Sequence, residues 1–127
     1  MILRAGRSFN LILPEAENMN ALLIVTTTDS EELARSIASA LVEAGEAACV
    51  NIVPGVQSVY RWEGELCDAV EFLLMIKTAA ANWEAVRSRI RRLHTYQIPE
   101  VIAVKIAAGD TDYLNWLATQ VNSAGHE

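Results

Sequence analysis

Two cysteines, two histidines, three prolines and six glycines among 127 residues leave little material for a disulfide framework, a histidine-rich metal cluster or a loop-built fold. Cys49 and Cys67 are too few to staple a small secreted domain. Basic residues are scarce as well: ten Lys and Arg against sixteen Asp and Glu give a net charge of -6, which disfavours general affinity for nucleic acid or an anionic membrane surface. Apolar runs fall short of the ~20 residues that a membrane helix needs. A Gly-rich phosphate loop, a Ser nucleophile motif and a close Cys/His pair are missing too, so no enzymatic chemistry is expected.

What the chain does have is a very long β-hairpin. Residues 49 to 78, CVNIVPGVQSVYRWEGELCDAVEFLLMIKT, read as two strands folded at Glu63-Gly64. Each side runs about 14 residues, or roughly 45 Å, where ordinary strands hold about 5–6. A helix over Ser30 to Ala44 would span only about 22 Å, so half of the arm, with Val56, Val59, Tyr60, Trp62 and Leu66, would stand bare. Such apolar edges invite another chain, and an obligate homo-oligomer is the expectation. With Trp62 opposite Glu65, Cys67 faces Tyr60 and Cys49 faces Thr78. The thiols then stand far apart, which predicts reduced cysteines and a cytoplasmic protein.

A hydrophobic content of 52% supports one domain with a real core. Residues 1–18, with Arg4 and Arg7 and no acid before Glu15, read as an N-terminal extension, and the domain opens at Met19 and runs to 127; a signal peptide would need a longer apolar centre and a small-residue cleavage site. ALLIVTTT from Ala21 reads as a buried strand. Asp29 and Glu32 form a capping box for a helix whose stripe is Leu33, Ile37, Leu41 and Ala44, with Gly45 as its left-handed stop. After the hairpin, Asn82 caps a second helix with Trp83, Val86, Ile90 and Leu93 on one face. Pro99 ends any continuation, Val101 to Ala107 alternates as a last strand, and Gly109-Asp110 turns into a helix with Leu114, Leu117 and Val121 on a shared face. The order β-α-β-β-α-β plus a terminal helix is the split βαβ of an α+β, ferredoxin-like fold.

Candidate sites are few. Arg87, Arg89, Arg91 and Arg92 crowd the second helix; a solvated face is the plainer reading, anion binding the sharper one. EFLLMIKT lacks the stacking aromatics of an RNA-binding sheet. Lys77 ends an apolar run and is expected to snorkel or to pair with a carboxylate. His94 stands at a helix end, where meeting the terminal carbonyls is the ordinary role, yet it opens HTYQIPE with Tyr96 and Glu100 close behind. Imidazole plus carboxylate suits copper or zinc, with a cysteine from another subunit as a further donor. His126 falls in a tail expected to fray.

ACVNIVPGVQSVYRWEG (Ala48 to Gly64), LLMIKT (Leu73 to Thr78), HTYQIPE from His94 and GDTDYLNWL from Gly109 occur in order, and through them the chain resembles the CutA divalent-cation-tolerance family from Ala21 to Val121. The resemblance implies a homotrimer with hairpin arms paired between subunits, no secure enzymatic activity, and an association with copper(II) and other divalent metals. It also implies a cleft between subunits gathering Tyr60, Trp62, Glu71, Lys77, Tyr96, Glu100, Tyr113 and Trp116. Some bacterial members have a cysteine where Val25 stands and a second histidine where Leu93 stands; Thr95 and Gln97 replace a frequent Pro and Glu. His94 alone remains as a metal ligand. The family's trimer is similar to the PII signalling proteins, which implies an alternative: a sensor holding a small anion through Lys77 and Arg61 or Arg87. A purely structural trimerisation module, presenting residues 1–18 to a partner, is the other alternative.

Overall fold

The computed structural model describes residues 20–122; the extension at 1–18 and His126 lie outside them. Strand β1 (Ala21–Thr28) leads through helix α1 (Glu31–Glu43) into the hairpin of β2 (Cys49–Trp62) and β3 (Glu65–Ala79). A 3₁₀ turn, Ala80–Asn82, opens helix α2 (Trp83–Leu93), followed by β4 (Ile102–Lys105) and helix α3 (Thr111–Gln120). The sheet order is β2-β3-β1-β4 with each neighbour antiparallel, the split βαβ expected from the element order.

Local chemistry explains the boundaries, with some changes from expectation. The N-cap of α1 is Ser30, not Asp29: its hydroxyl accepts the Leu33 N–H at 3.1 Å. Two capping residues stand side by side, and the Thr28 side chain settles between them by accepting the Ser30 N–H at 3.1 Å and donating to the Ser30 carbonyl at 2.7 Å. Gly45 does end α1 with φ +72°, and Asn122 at the foot of α3 is tied there, donating its N–H to the Gly45 carbonyl at 2.8 Å. Asn82 precedes α2 without capping it through its side chain, which instead donates to Thr78 at 3.4 Å. The last strand is shorter than Val101 to Ala107, because β1 offers β4 pairing only from Leu22 to Val25.

One sheet face is sealed. Ile24, Leu74 and Ile76 meet Ala34, Ile37 and Leu41 of α1 and Val86 and Ile90 of α2, all with no accessible surface; Leu93, expected on this stripe, is exposed. Burial of such aliphatic side chains contributes about 1.5–3 kcal/mol each. The opposite face holds Leu23, Val25, Leu73 and Met75 half-buried and Ile102 and Val104 more than half exposed. Cys49 at one corner is roofed by Leu117 of α3, and Thr27 and Glu71 at the other end are buried as well.

The hairpin turns at Glu63 and Gly64, both with positive φ (51° and 82°), which matches strand twist in a two-residue turn. β1 stops pairing at Thr28 against Phe72, so residues 56–62 and 65–71 run on as a two-stranded arm. Val59, Leu66 and Val70 are each over 60% exposed there. Trp62 pairs with Glu65 and Tyr60 with Cys67 as expected, but Cys49 faces Lys77 rather than Thr78. The cause is a β-bulge: Val53 pairs with Leu73 and Val56 with Glu71, leaving one extra residue at Pro54-Gly55. Proline is tolerated at such a bulge because no ladder bond is lost.

Candidate functional site

The sheet narrows from four strands to two where β1 ends, and the connection from α2 to β4 folds around that step. The result is a cleft of about 710 Å³. The bulge sets the phase of β2 so that Ser58, Tyr60 and Trp62 share a face with Glu71; Tyr96 and Glu100 come from the connection, and Thr27 from the end of β1. Glu71 is the buried charge of this site, 7% exposed. The Tyr96 hydroxyl donates to Glu71 Oε2 at 2.6 Å. Burial raises the Tyr96 phenol well above the ordinary tyrosine range, and the hydrogen bond to Glu71 adds to it, with Asp29 contributing more negative potential.

His94 braces this connection. It is the C-cap of α2, and its Nε2–H donates to the Thr27 carbonyl at 2.7 Å while Nδ1 accepts the Tyr96 N–H at 3.1 Å. Its ring also lies 4.5 Å from that of Tyr96. Both ring nitrogens are thereby engaged by backbone groups. The ring reaches across to β1 rather than to the terminal carbonyls of its own helix.

Within one protomer, the eight residues expected in a cleft between subunits stand in two places. Tyr60, Trp62, Glu71, Tyr96 and Glu100 line the cleft. Tyr113 and Trp116, with rings 5.6 Å apart, instead pack with Leu117 over Ala48 and Cys49, and Lys77 is the cross-strand partner of Cys49. Lys77 pairs with no carboxylate among the described residues; it donates to Asn51 Oδ1, which also accepts from the Cys49 thiol at 3.9 Å. Burial raises the Tyr113 phenol, with Cys49 as a further cause.

The cations expected to gather an anion stand apart. Arg61 reaches the Gly64 carbonyl at the hairpin tip, at 3.4 Å, and Arg87 pairs with Glu84 at 3.0 Å. Arg89 grips Glu46 through two bonds of 2.8 and 3.0 Å, which raises the guanidinium further and fastens α2 to the end of α1. Arg92 donates to Ser88 at 2.9 Å, and Arg91 is exposed. Thr27, Ser58, Val59, Thr95, Gln97 and Ile98 complete the cleft lining. Thr27, Ser58 and Ile98 carry no distinguishing mark in the sequence; only the bulge phase and the end point of β1 place them.

Comparison with known proteins finds relatives in both sequence and fold. A family profile described as CutA1 divalent ion tolerance protein covers residues 22–120. The chain is 48% identical over 95 residues to the divalent-cation tolerance protein CutA of Thermus thermophilus, which spans 75% of this chain and 92% of that protein. It is 38% identical over 102 residues to a chloroplastic CutA protein of Arabidopsis thaliana, covering 80% of this chain and 56% of that one. Among solved structures it is similar to Cut A1 of Thermus thermophilus, with TM-score 0.78, 45% identity and coverage of 80% and 99%. The CutA1 structure from Oryza sativa gives TM-score 0.80 at 36% identity, with coverage of 82% and 95%.

Proposed function

The chain belongs to the CutA1 divalent ion tolerance family, and from that membership we propose a non-catalytic protein of divalent-cation tolerance that works as a homotrimer, its clefts at the subunit boundaries. The observation that carries this reading is the open face of the sheet. Ile102 and Val104, 51% and 53% exposed, lie there with Val53, and beyond the helices the arm bares Val59, Leu66 and Val70 on its other side, more exposed still. Apolar side chains left bare on both sides of so long a ribbon mark association with another chain, and a second and third copy of the same arm satisfy them. Sedimentation at low micromolar concentration tests it. A particle of three chain masses is expected, and a compact folded monomer would end the reading.

The donor set decides how a metal fits. Among the described residues no group of three or more His, Cys, Asp and Glu converges, and His94 has both nitrogens engaged. These side chains do not fit a resident, tightly held ion within one protomer. Divalent cations such as copper(II) are therefore read as cargo, met by the carboxylates Glu71 and Glu100, with His94 positioning the connection that carries them. Titration of copper(II) and zinc(II) into the parent protein, His94→Ala and the double variant Glu71→Gln, Glu100→Gln checks this. Binding lost in the double variant and retained in His94→Ala supports it; loss confined to His94→Ala returns the imidazole as ligand.

A further inference from the structure

The cleft is built for a cation larger than a bare metal ion. Its volume of about 710 Å³ falls in the range of small-molecule sites, roughly 300–1,000 Å³. Tyr60 and Trp62 stand two residues apart on one face of β2 and Tyr96 rises from the connection, so aromatic side chains come from two directions. Both charged residues in the lining, Glu71 and Glu100, are acidic, and among the described residues of the protomer no Lys, Arg or His joins them. Glu71 is more than nine-tenths buried, its Oε2 fixed by the Tyr96 hydroxyl. Its Oε1 makes no hydrogen bond among the described residues. Aromatic faces around a desolvated carboxylate attract organic ammonium ions: the ring quadrupole and the carboxylate both favour a diffuse positive charge. A hydrated divalent ion gains little from rings and wants more oxygen donors than two carboxylates supply.

We propose that this cleft binds an organic ammonium ion, its head group against Glu71 Oε1 and the faces of Tyr60 and Trp62. The inference rests on the cleft being the binding site of the reading above and names its ligand class; a divalent cation competes for the same carboxylates. Anions are disfavoured by the same charges. Alkyl amines and quaternary ammonium compounds share the recognition chemistry, and the assay separates them.

The test is calorimetric titration of the full chain with choline, with 1,4-diaminobutane and with 3,3-dimethylbutan-1-ol, the uncharged isostere of choline, on samples whose oligomeric state is measured in parallel. At least one of the two cations is expected to bind at least tenfold more tightly than the alcohol. Glu71→Gln, which keeps an oxygen for the Tyr96 hydroxyl, is expected to weaken that cation about tenfold, and Trp62→Leu to weaken choline more than the diamine. Saturable binding by the alcohol at equal strength, or no heat with either cation at millimolar concentration, overturns the inference. A sample that is trimeric and binds copper(II) but neither ammonium ion sinks the inference and leaves the tolerance reading standing. A monomer that still binds choline through Glu71 does the reverse.

Discussion

The two faces of the sheet make opposite use of the same strands. On the face beneath α1 and α2, Ile24, Leu74 and Ile76 have no accessible surface; across the backbone, Ile102 and Val104 keep about half of theirs. Neither face is polar, so burial and not composition separates them. A single chain lays α1 and α2 over one face and roofs the other with α3 at the Cys49 corner, and its long arm runs on beyond these helices. What the difference teaches is that stability is internal to the protomer while the site depends on what covers the rest.

Substitution on the sealed face should give the largest effect. Ile76→Ala is expected to cost about 2–5 kcal/mol in a denaturant titration, with a midpoint that moves little with protein concentration relative to the parent. Val104→Asp on the open face sharpens the contrast. In an isolated chain an exposed change of this kind costs about 0.5 kcal/mol or less; in an assembled one it should lower the sedimenting mass and make the melting temperature depend strongly on concentration. Equal mass for parent and variant would dissolve the distinction between the faces.

Legibility followed the same division. Element order, the hairpin turn and the apolar stripe of α1 all follow from hydrophobic period and turn chemistry, since these are local. Phase was hidden: nothing in VPGV announces that Pro54-Gly55 holds one residue too many, so Cys49 was set against Thr78 instead of Lys77. Family resemblance, and no pattern of period or spacing, groups Lys77, Tyr113 and Trp116 with Tyr60 and Glu71 in a cleft between subunits; within one protomer α3 carries two of them to another corner. Competition between neighbours hid the rest: Ser30 outcompetes Asp29 for the cap, and backbone groups claim His94.

Smaller effects probe the contacts that join the regions. Tyr96→Phe leaves the buried Glu71 without its donor and should cost about 1–3 kcal/mol. The pH dependence has a definite sign. Because the folded phenol titrates above its unfolded value, its stabilisation is fully present below about pH 10 and is lost as pH climbs through the folded value. Alkaline absorbance titration of the parent against Tyr96→Phe should show that one phenol ionises late. Arg89→Ala, which releases α2 from Glu46, should cost about 1 kcal/mol, and Arg35→Ala, in an exposed pair with Glu31, about 0.3 kcal/mol; thermal melts of both in one buffer check the ranking.

The surplus residue at Pro54-Gly55 governs how the hairpin can change over generations. Side chains alternate along a ribbon, so removing that residue, or any single residue between it and Tyr60, would keep the ladder repairable while sending Tyr60 and Trp62 to the side away from Glu71. Lengthening or shortening is harmless to the site only in even steps. Indels in this segment should therefore arrive in pairs, and a lone one should spare folding yet empty the binding wall of its rings.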